Sequence, residues 1–356
     1  MATFTIYDHE EISGVLSEVV PFQHQLLNHF GNIMNFDTET IDFDKISDDL
    51  RVAIYVDPAL SARNVRERGY STKKYTAPYT KQKAGITPAN IRKRPAGAPI
   101  NNFGSPAERY AASLIEKATS MRIFHRRLLE LTASQLLLAG SYTAVSDLYP
   151  TPVVVDFERN AGNTMNFATL NANGGVGKRV WGSTGGTATV SPVADLEEFF
   201  NLCQEQIQVV YMSDNAWAQF TLDPKFETAL DITIRNLSAS NFELMPKQGT
   251  IQGLKYRGML ASNGTAIYTF NGTYQHPTTG VITKYIPDGY VVGVPSSQFG
   301  TIAYGAIQHG EAGYVSVDEF WNMWMDEEFG IPYLQFQSAP MLVHTKINST
   351  FAVKVI

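Results

Sequence analysis

The longest regular hydrophobic pattern in the chain predicts a single helix over residues 105–140. Ser105 and Pro106 suit the N-cap and the first helical position, and Glu108 completes a capping box. Gly140 is a typical C-terminal stop. Between these signals, apolar side chains recur at spacings of three, four and seven residues, at Tyr110, Leu114, Ala118, Met121, Leu128, Leu131 and Leu138. Such a helix extends over ~50 Å at about 1.5 Å per residue.

The first 50 residues have the pattern of an arm rather than of a compact domain. Gly14–Phe30 carries apolar residues near helical spacing, but Pro21 interrupts any helix there. Thr38–Asp44 then alternates, with Ile41 and Phe43 on one side, which predicts a short strand.

Short strands and helices are predicted after the long helix. Val153–Phe157 and Val209–Met212 predict strands, and Pro192–Gln208 predicts a helix in which Cys203 is buried. Residues 160–189 are rich in Gly, Asn and Thr, which predicts a mobile or peripheral hairpin. Two further helices are predicted at Ala216–Asp223 and Pro224–Leu237.

Beyond residue 250, strands separated by glycine turns suit an antiparallel sheet. They are predicted at Leu254–Met259, Ala266–Phe270, Val281–Ile286, Tyr290–Val294 and Ile302–Ile307. The chain as a whole is therefore expected to be an α+β protein with a large core, and its 356 residues suit about two domains.

Charge is distributed unevenly along the N-terminal third of the chain. Residues 1–50 contain ten Asp and Glu but one Lys, whereas residues 51–100 contain eleven Lys and Arg but two acids. Residues 51–104 are too polar for a core element and too long for an ordinary loop. Because this excursion has little to pack against in its own subunit, we expect it to contact a partner.

The remaining composition excludes several classes of protein. A net charge of −6 argues against a general nucleic-acid binder. Cys203 is the only cysteine, so an intramolecular disulfide and CxxC motifs are excluded. The N-terminus lacks the pattern of a secretory signal, and no apolar run approaches the ~20 residues that span a bilayer. Synthesis and assembly in a cytoplasm are therefore expected.

Motifs for chemistry are weak. Gly174–Lys178 resembles a phosphate loop, but Ala172 and Arg179 occupy positions where that motif needs Gly and Ser or Thr. The acidic pair Glu197–Glu198 is interpreted as the first turn of a helix and Asp326–Glu328 as a solvated turn. His125 lies among arginines and is expected at the surface. No metal site, cofactor or enzymatic activity is predicted.

Several segments, taken in order and spacing, resemble the lambda-like phage major capsid proteins, the head protein E family. The likeness is carried by Val52–Pro58, Val65–Gly69, Ser71-Thr72, Tyr75–Pro78 and Ile91–Pro95, and by Gln337–Leu342 near the C-terminus. It is looser at Asp195–Ala218 and Tyr285–Gly289, and residues 160–189 and 271–280 depart from the pattern.

The resemblance implies a Hong Kong 97-type capsid fold with distinct segments. An N-terminal arm is expected at 1–50, an extended loop at 51–104, and a spine helix at 105–140. The peripheral domain would comprise 105–193 and 334–356, and an axial domain 194–333. Strands at Arg51–Val56 and Ile91–Arg94 would frame the loop.

The resemblance also implies a function in assembly. Copies of the chain would form hexamers and pentamers of an icosahedral shell around double-stranded DNA, which is contacted only non-specifically, and the shell would later expand. A decoration protein, a scaffold and a portal are expected partners. Some relatives of the fold seal the shell through a Lys–Asn bond, and Lys73, Lys74, Lys81 and Lys83 lie in the corresponding region, but no covalent crosslink is expected here.

The oppositely charged segments are expected to meet across subunits and to set register, while apolar burial supplies most of the affinity. The predicted contact residues of the loop are Arg63, Arg66, Arg68, Tyr70, Lys73, Lys74, Tyr75, Arg92, Lys93 and Arg94. Those of the arm are Asp37, Glu39, Asp42 and Asp44.

Two other functions stay open at this point. One is another self-assembling phage structural protein or an encapsulating shell. The other is a nucleic-acid-binding module that uses the basic run together with Tyr70, Tyr75 and Tyr79.

Overall fold

The computed structural model describes residues 24–38, 40–46, 70–87, 92, 105–146, 152–167, 180–182, 190–223, 253–260, 264–277, 279–295, 298–326 and 328–356. The α-helices with described bounds are α1 Pro106–Ala139, α2 Pro192–Leu202 and α3 Asp214–Phe220. The first nine strands are β1 Asn32–Asn35, β2 Thr40–Ile46, β3 Tyr70–Thr76, β4 Thr80–Gly85, β5 Ser141–Ala144, β6 Val153–Asp156, β7 Thr164–Asn166, β8 Ile207–Met212 and β9 Leu254–Leu260. The others are β10 Thr265–Phe270, β11 Thr273–Gln275, β12 Ile282–Lys284, β13 Tyr290–Pro295, β14 Gly300–Tyr304, β15 Phe320–Asp326, β16 Ile331–Ser338, β17 Pro340–His344 and β18 Phe351–Lys354.

The predicted long helix is confirmed as α1, and its local signals act as expected. The Ser105 hydroxyl accepts a hydrogen bond from the Glu108 amide at 3.2 Å, and the Glu108 carboxylate accepts one from the Ser105 amide at 2.7 Å. Gly140 ends the helix with a φ of 74°, a conformation that glycine adopts without strain. The spine helix, α1, is therefore delimited by its own sequence.

The larger core is built on a six-stranded sheet of order β7-β18-β13-β8-β10-β9. Helix α2 packs on it, with Phe199 contacting Phe351 at a ring-centroid distance of 5.4 Å. Both predicted domains contribute strands to this sheet. Strand β18 lies in the predicted peripheral domain and pairs with β13, which lies in the predicted axial domain. Hydrogen bonding therefore does not separate the two segments, and the division into peripheral and axial domains stays a prediction.

Three predictions are wrong in this region. Strand β7 pairs in parallel with β18, so residues 164–166 belong to the main sheet rather than to a mobile or peripheral hairpin, while 168–179 and 183–189 lie outside the described residues. Helix α2 ends at Leu202, which leaves Cys203 half-buried beyond the helix rather than buried within it. Helix α2 begins at Pro192, which places Glu197 and Glu198 in its second turn. They are therefore too far from the N-terminus to interact favourably with the helix dipole, and the predicted first-turn position is wrong. The helix predicted at 224–237 lies outside the described residues.

A three-stranded sheet of order β15-β16-β4 carries the N-terminal half of the spine helix. Tyr110, Leu114 and Met121 pack against Trp321 and Phe336. This face explains why the expected surface position of His125 is wrong. The His125 ring is 1% exposed and lies 5.0 Å from that of Phe336.

An ion-pair cluster ties this helix face to the segment before β15. The Glu319 carboxylate lies 2.9 Å from Arg122 Nε and 3.4 Å from Arg126 Nη2. The Glu319 side chain is 8% exposed, and the two arginines are 28% and 31% exposed. A shielded carboxylate between two guanidinium groups is costly to lose, because both cations keep their charge after it is gone.

We expect Glu319→Ala to lower the free energy of unfolding by about 2–3 kcal/mol, less than for a fully buried pair because the arginines reach solvent. Urea denaturation of the unassembled subunit measures this change. Glu311→Ala is a matched control, since the Glu311 side chain is 70% exposed and its loss should matter by less than about 0.5 kcal/mol. Equal effects of the two substitutions would contradict the expectation.

Candidate functional site at the junction of arm and loop

Strands β2 and β3 bring part of the predicted arm together with part of the predicted loop. They pair antiparallel, with Asp42 opposite Lys74 and Phe43 opposite Lys73, and form a separate two-stranded sheet that we call the arm–loop ribbon. The Lys74 ammonium lies 3.6 Å from the Asp42 carboxylate. The expectation that the loop has little to pack against in its own subunit is therefore wrong for residues 70–76. Acidic and basic segments meet within one chain here.

The ribbon is fixed to the rest of the subunit at the turn that follows β6. Tyr75 is 8% exposed, its ring lies 5.5 Å from that of Phe157, and its hydroxyl donates to the Asp156 carbonyl. The Lys73 ammonium lies 2.5 Å from the Glu158 carboxylate. Glu158 has a φ of 52°, which a non-glycine residue adopts only when its surroundings hold it there. These contacts orient the ribbon relative to the C-terminal end of the spine helix.

Electrostatics at this anchor follow from the same contacts. The hydrogen bond to Glu158 raises the pKa of Lys73 above its ordinary value, and burial raises the pKa of Tyr75. Both groups therefore keep their protons across the neutral range. Because its ring and hydroxyl are used inside the subunit, Tyr75 acts as an anchor of the ribbon, which sequence reasoning did not anticipate.

A half-open cavity of about 310 Å³ lies beside the anchor. The ribbon contributes Phe43, Lys73 and Tyr75 to its walls. The turn after β6 contributes Phe157 and Glu158, and Ile347 lines it from the C-terminal segment. Aromatic walls and a single ion pair suit an inserted side chain better than a metal ion. Within the described ranges, no three His, Cys, Asp or Glu side chains are grouped to bind a metal.

Strand β4 brings another part of the predicted loop into the subunit. It pairs antiparallel with β16, and the Lys83 ammonium lies 3.8 Å from the centroid of the Tyr333 ring. Ile86, just beyond the strand, is fully buried. Residues 80–86 thus form the edge of the sheet that carries the spine helix, and they are not part of a free excursion.

The arm is also integrated into the subunit where it is described. Strand β1 pairs in parallel with β14, and the Asp37 carboxylate accepts a hydrogen bond of 3.1 Å from the Ser316 amide. Asp37 therefore holds a loop of its own chain. Asp42 remains exposed on the ribbon, where it faces Lys74.

The other predicted contact residues are distributed as follows. The exposed Arg92 has helical backbone, so the strand predicted at 91–94 is wrong at that position. Asp44 and Tyr70 lie in the ribbon by their backbone. Outside the described residues lie the strand predicted at 51–56 and the side chains Glu39, Arg63, Arg66, Arg68, Lys93 and Arg94. The assignment of these residues to contacts between subunits stays a prediction.

A spine helix, an α+β core and a charged two-stranded ribbon are the elements of the Hong Kong 97-type capsid fold. The crystal structure of a prophage capsid protein from E. coli CFT073 supports this class. It superposes with a TM-score of 0.71 over 99% of this chain and 100% of that chain, at 17% sequence identity. The predicted fold class is confirmed.

The chain belongs to the phage major capsid protein E family, whose sequence profile matches residues 8–355. The major capsid protein of Enterobacteria phage phi80 is 26% identical over 99% of both chains. That of Escherichia phage lambda is 26% identical over 86% of both chains. That of Enterobacteria phage P21 is 27% identical over 95% of this chain and 96% of that protein.

The protein is accordingly a structural subunit of the phage capsid and not an enzyme, as its sequence predicts. It forms part of the virion by self-association into a shell. Among the described helices, none combines the length and the apolar composition that crossing a bilayer requires.

Proposed function

We propose that the arm–loop ribbon and the charged segments that continue from it form the main contact between neighbouring subunits in the hexamers and pentamers of the shell. The observation that carries this proposal is the anchored, two-stranded form of the ribbon. A two-stranded sheet is at best marginally stable alone. The Tyr75–Phe157 contact and the Lys73–Glu158 pair stabilise it at one end, so that β2 and β3 can present residues 47–69 to a neighbour.

Charge gives this contact its register. The Asp42–Lys74 pair shows that acidic and basic side chains are complementary across the ribbon. Arg63, Arg66 and Arg68 precede β3 in the sequence, and we propose that they meet acidic arm residues of another copy. Such exposed pairs contribute little affinity each, but repeated over many copies they steer encounter and exclude wrong registers.

The ribbon also offers a place for a partner other than another copy. Within the part of the chain that the structure describes, neither outer edge of the β2–β3 pair has a strand partner. An unpaired edge accepts an extended segment through main-chain hydrogen bonds. We propose this edge as the contact for the arm of a decoration protein, while a scaffold and a portal act during assembly.

Reversing three charges tests the contact between subunits. We expect the triple variant Arg63→Glu, Arg66→Glu, Arg68→Glu to form no shells, because its basic segment repels basic neighbours and no longer attracts the acidic arm. Negative-stain electron microscopy of the expressed chain, alone and with the neighbouring phage genes, measures shell formation. Circular dichroism and thermal unfolding of the subunit should be unchanged.

The matched control replaces the same three arginines by lysine. This variant keeps the charge and should form shells, since steering depends on charge more than on guanidinium geometry. Normal shells from the glutamate variant would remove the loop arginines from the assembly mechanism. Shells from neither triple variant would show that side-chain shape, rather than charge, decides the contact.

A further inference from the structure

The buried carboxylate of Glu130 has no part in the contacts discussed above. Glu130 lies on the spine helix, is 1% exposed, and accepts three hydrogen bonds from consecutive backbone amides of a segment about a hundred residues earlier. The donors are the amides of Gln25 at 3.1 Å, Leu26 at 2.8 Å and Leu27 at 2.9 Å. We call residues 24–30 the arm root.

These three amides need an acceptor from elsewhere. They stand at the start of a single 3₁₀ turn, Leu27–His29, whose N-cap residue Leu26 makes no side-chain cap. The first amides of a helical turn have no partner within it. Here the spine helix provides the acceptor, through both carboxylate oxygens of Glu130. The turn is therefore satisfied only when it is docked on α1.

A second set of contacts holds the same root from the opposite side. The Gln25 side-chain amide donates to the Tyr211 hydroxyl at 2.7 Å, and His29 Nε2 lies 2.9 Å from that hydroxyl. The His29 ring stacks on Phe299 at 5.7 Å. Burial lowers the pKa of His29 to about 4, so the ring is neutral near pH 7 and its Nε2 can accept a hydrogen bond from the Tyr211 hydroxyl. The apolar residues of the root, Leu26 and Leu27, are buried in the core.

We propose that Glu130 is the positioning residue that fixes the root of the N-terminal arm on the spine helix, through the amides of residues 25–27. This inference rests on the proposed role of the arm in contacts between subunits. It adds the point from which the arm departs and the group that holds it there. Because three donors converge on one carboxylate, a shift of the root by one residue leaves a buried amide without its acceptor.

Hydrogen exchange on the unassembled subunit tests the anchor directly. Glu130→Gln removes the charge and replaces one acceptor oxygen by a donor. We expect the amides of Gln25, Leu26 and Leu27 to exchange more than about tenfold faster, because local opening of the root becomes easier, while amides of β8 keep their protection. Glu116→Gln, at an exposed position of the same helix, should change neither.

Two further variants make the result decisive. Glu130→Asp keeps the charge but shortens the side chain, and we expect an intermediate loss of protection; it replaces Glu130→Gln if that variant does not fold. Met323→Ala weakens the core beneath the spine helix without touching the root. At a temperature where both are folded, we expect Glu130→Gln to give fewer than about half the shells of Met323→Ala, since only the former releases the arm.

The outcomes separate the anchor from the wider proposal. Unchanged exchange at residues 25–27, or a uniform rise that includes β8, would overturn the role of Glu130. Equal shell yields from Glu130→Gln and Met323→Ala would mean that Glu130 contributes to the stability of the subunit but does not position the arm for assembly. The exchange result needs no contact between copies, so it stands even if the arginine reversal leaves assembly intact.

Discussion

Acidification from pH 6.5 to 4.5 is expected to destabilise the unassembled subunit by roughly 2 kcal/mol for each of two buried histidines. Burial, reinforced by Arg126 and Arg122, lowers the pKa of His125 to about 3. Burial and the charge of Arg159 lower that of His344 to about 3 as well. Their side chains are 1% and 3% exposed.

The sign follows from proton uptake. In the unfolded chain a histidine binds its proton near pH 6.5, whereas the folded subunit keeps both rings neutral until the pH approaches 3. The unfolded state therefore binds more protons throughout this window, and folding is favoured less as the pH falls. The contribution to stability is fully present above pH 6.5 and is lost progressively toward the folded pKa.

Carboxylates also contribute to the loss of stability at low pH, so a variant without the histidine is needed to isolate the contribution of His125. His125→Phe retains an aromatic ring against Phe336 but does not titrate, so the stability lost between pH 6.5 and 4.5 should shrink by roughly 2 kcal/mol. Met121→Leu perturbs the same core without removing a titrating group and should keep the original pH dependence. Urea denaturation at several pH values measures both. Parallel pH profiles for His125→Phe and the unmodified chain would show that His125 has the same pKa in the folded and unfolded states, and would contradict the expectation.

Local signals explain which elements could be predicted from the sequence. The spine helix carries its own cap, its own apolar stripe and its own glycine stop, all of which act over a few residues. Strands β9, β10 and β13 were predicted within a residue or so because alternation and flanking glycines delimit them. Local signals of this kind delimit an element, while its partners are set by contacts elsewhere in the chain.

Long-range contacts explain what was missed. The sequence around His125 is rich in arginine and predicts a surface, but Glu319, almost two hundred residues away, compensates those charges and lets the ring turn inward. The residues around Tyr75 have the composition of a loop, yet contacts with Asp156 and Phe157 bury the Tyr75 side chain. In both cases a residue far away in the same chain determines whether the side chain is buried, and a single sequence does not identify that residue.

The arm shows the same limit for the candidate site. The apolar residues of Gly14–Phe30 lie near helical spacing interrupted by Pro21, and this pattern does not indicate that residues 25–27 dock on α1 through Glu130. The pairing of β2 with β3 joins segments from the acidic and the basic parts of the chain. The sequence analysis expects these parts to meet across subunits, whereas residues 40–46 and 70–76 meet within one chain.

Docking of the arm within its own subunit predicts strong coupling between Phe30 and Gly300. Phe30 is 2% exposed, and its ring covers Gly300 so closely that an added Cβ would lie 2.0 Å from a ring carbon. Phe30→Ala should lower the free energy of unfolding by about 3–5 kcal/mol, through lost burial and the cavity that remains. Gly300→Ala should cost about 1–3 kcal/mol, because the new methyl group displaces the ring.

The double variant distinguishes this geometry from independent damage at two sites. With the ring absent, the methyl group of Ala at position 300 occupies vacated space, so the combined loss should fall short of the sum by about 1–3 kcal/mol. Thermal or urea unfolding measures the cycle, and repeating it at a tenfold lower subunit concentration should give the same coupling, since both residues belong to one chain. Strictly additive losses would mean that Phe30 does not lie over Gly300. A coupling that disappears on dilution would place the Phe30 ring against the Gly300 of a neighbouring copy, and the arm root would then be exchanged between subunits rather than anchored within one.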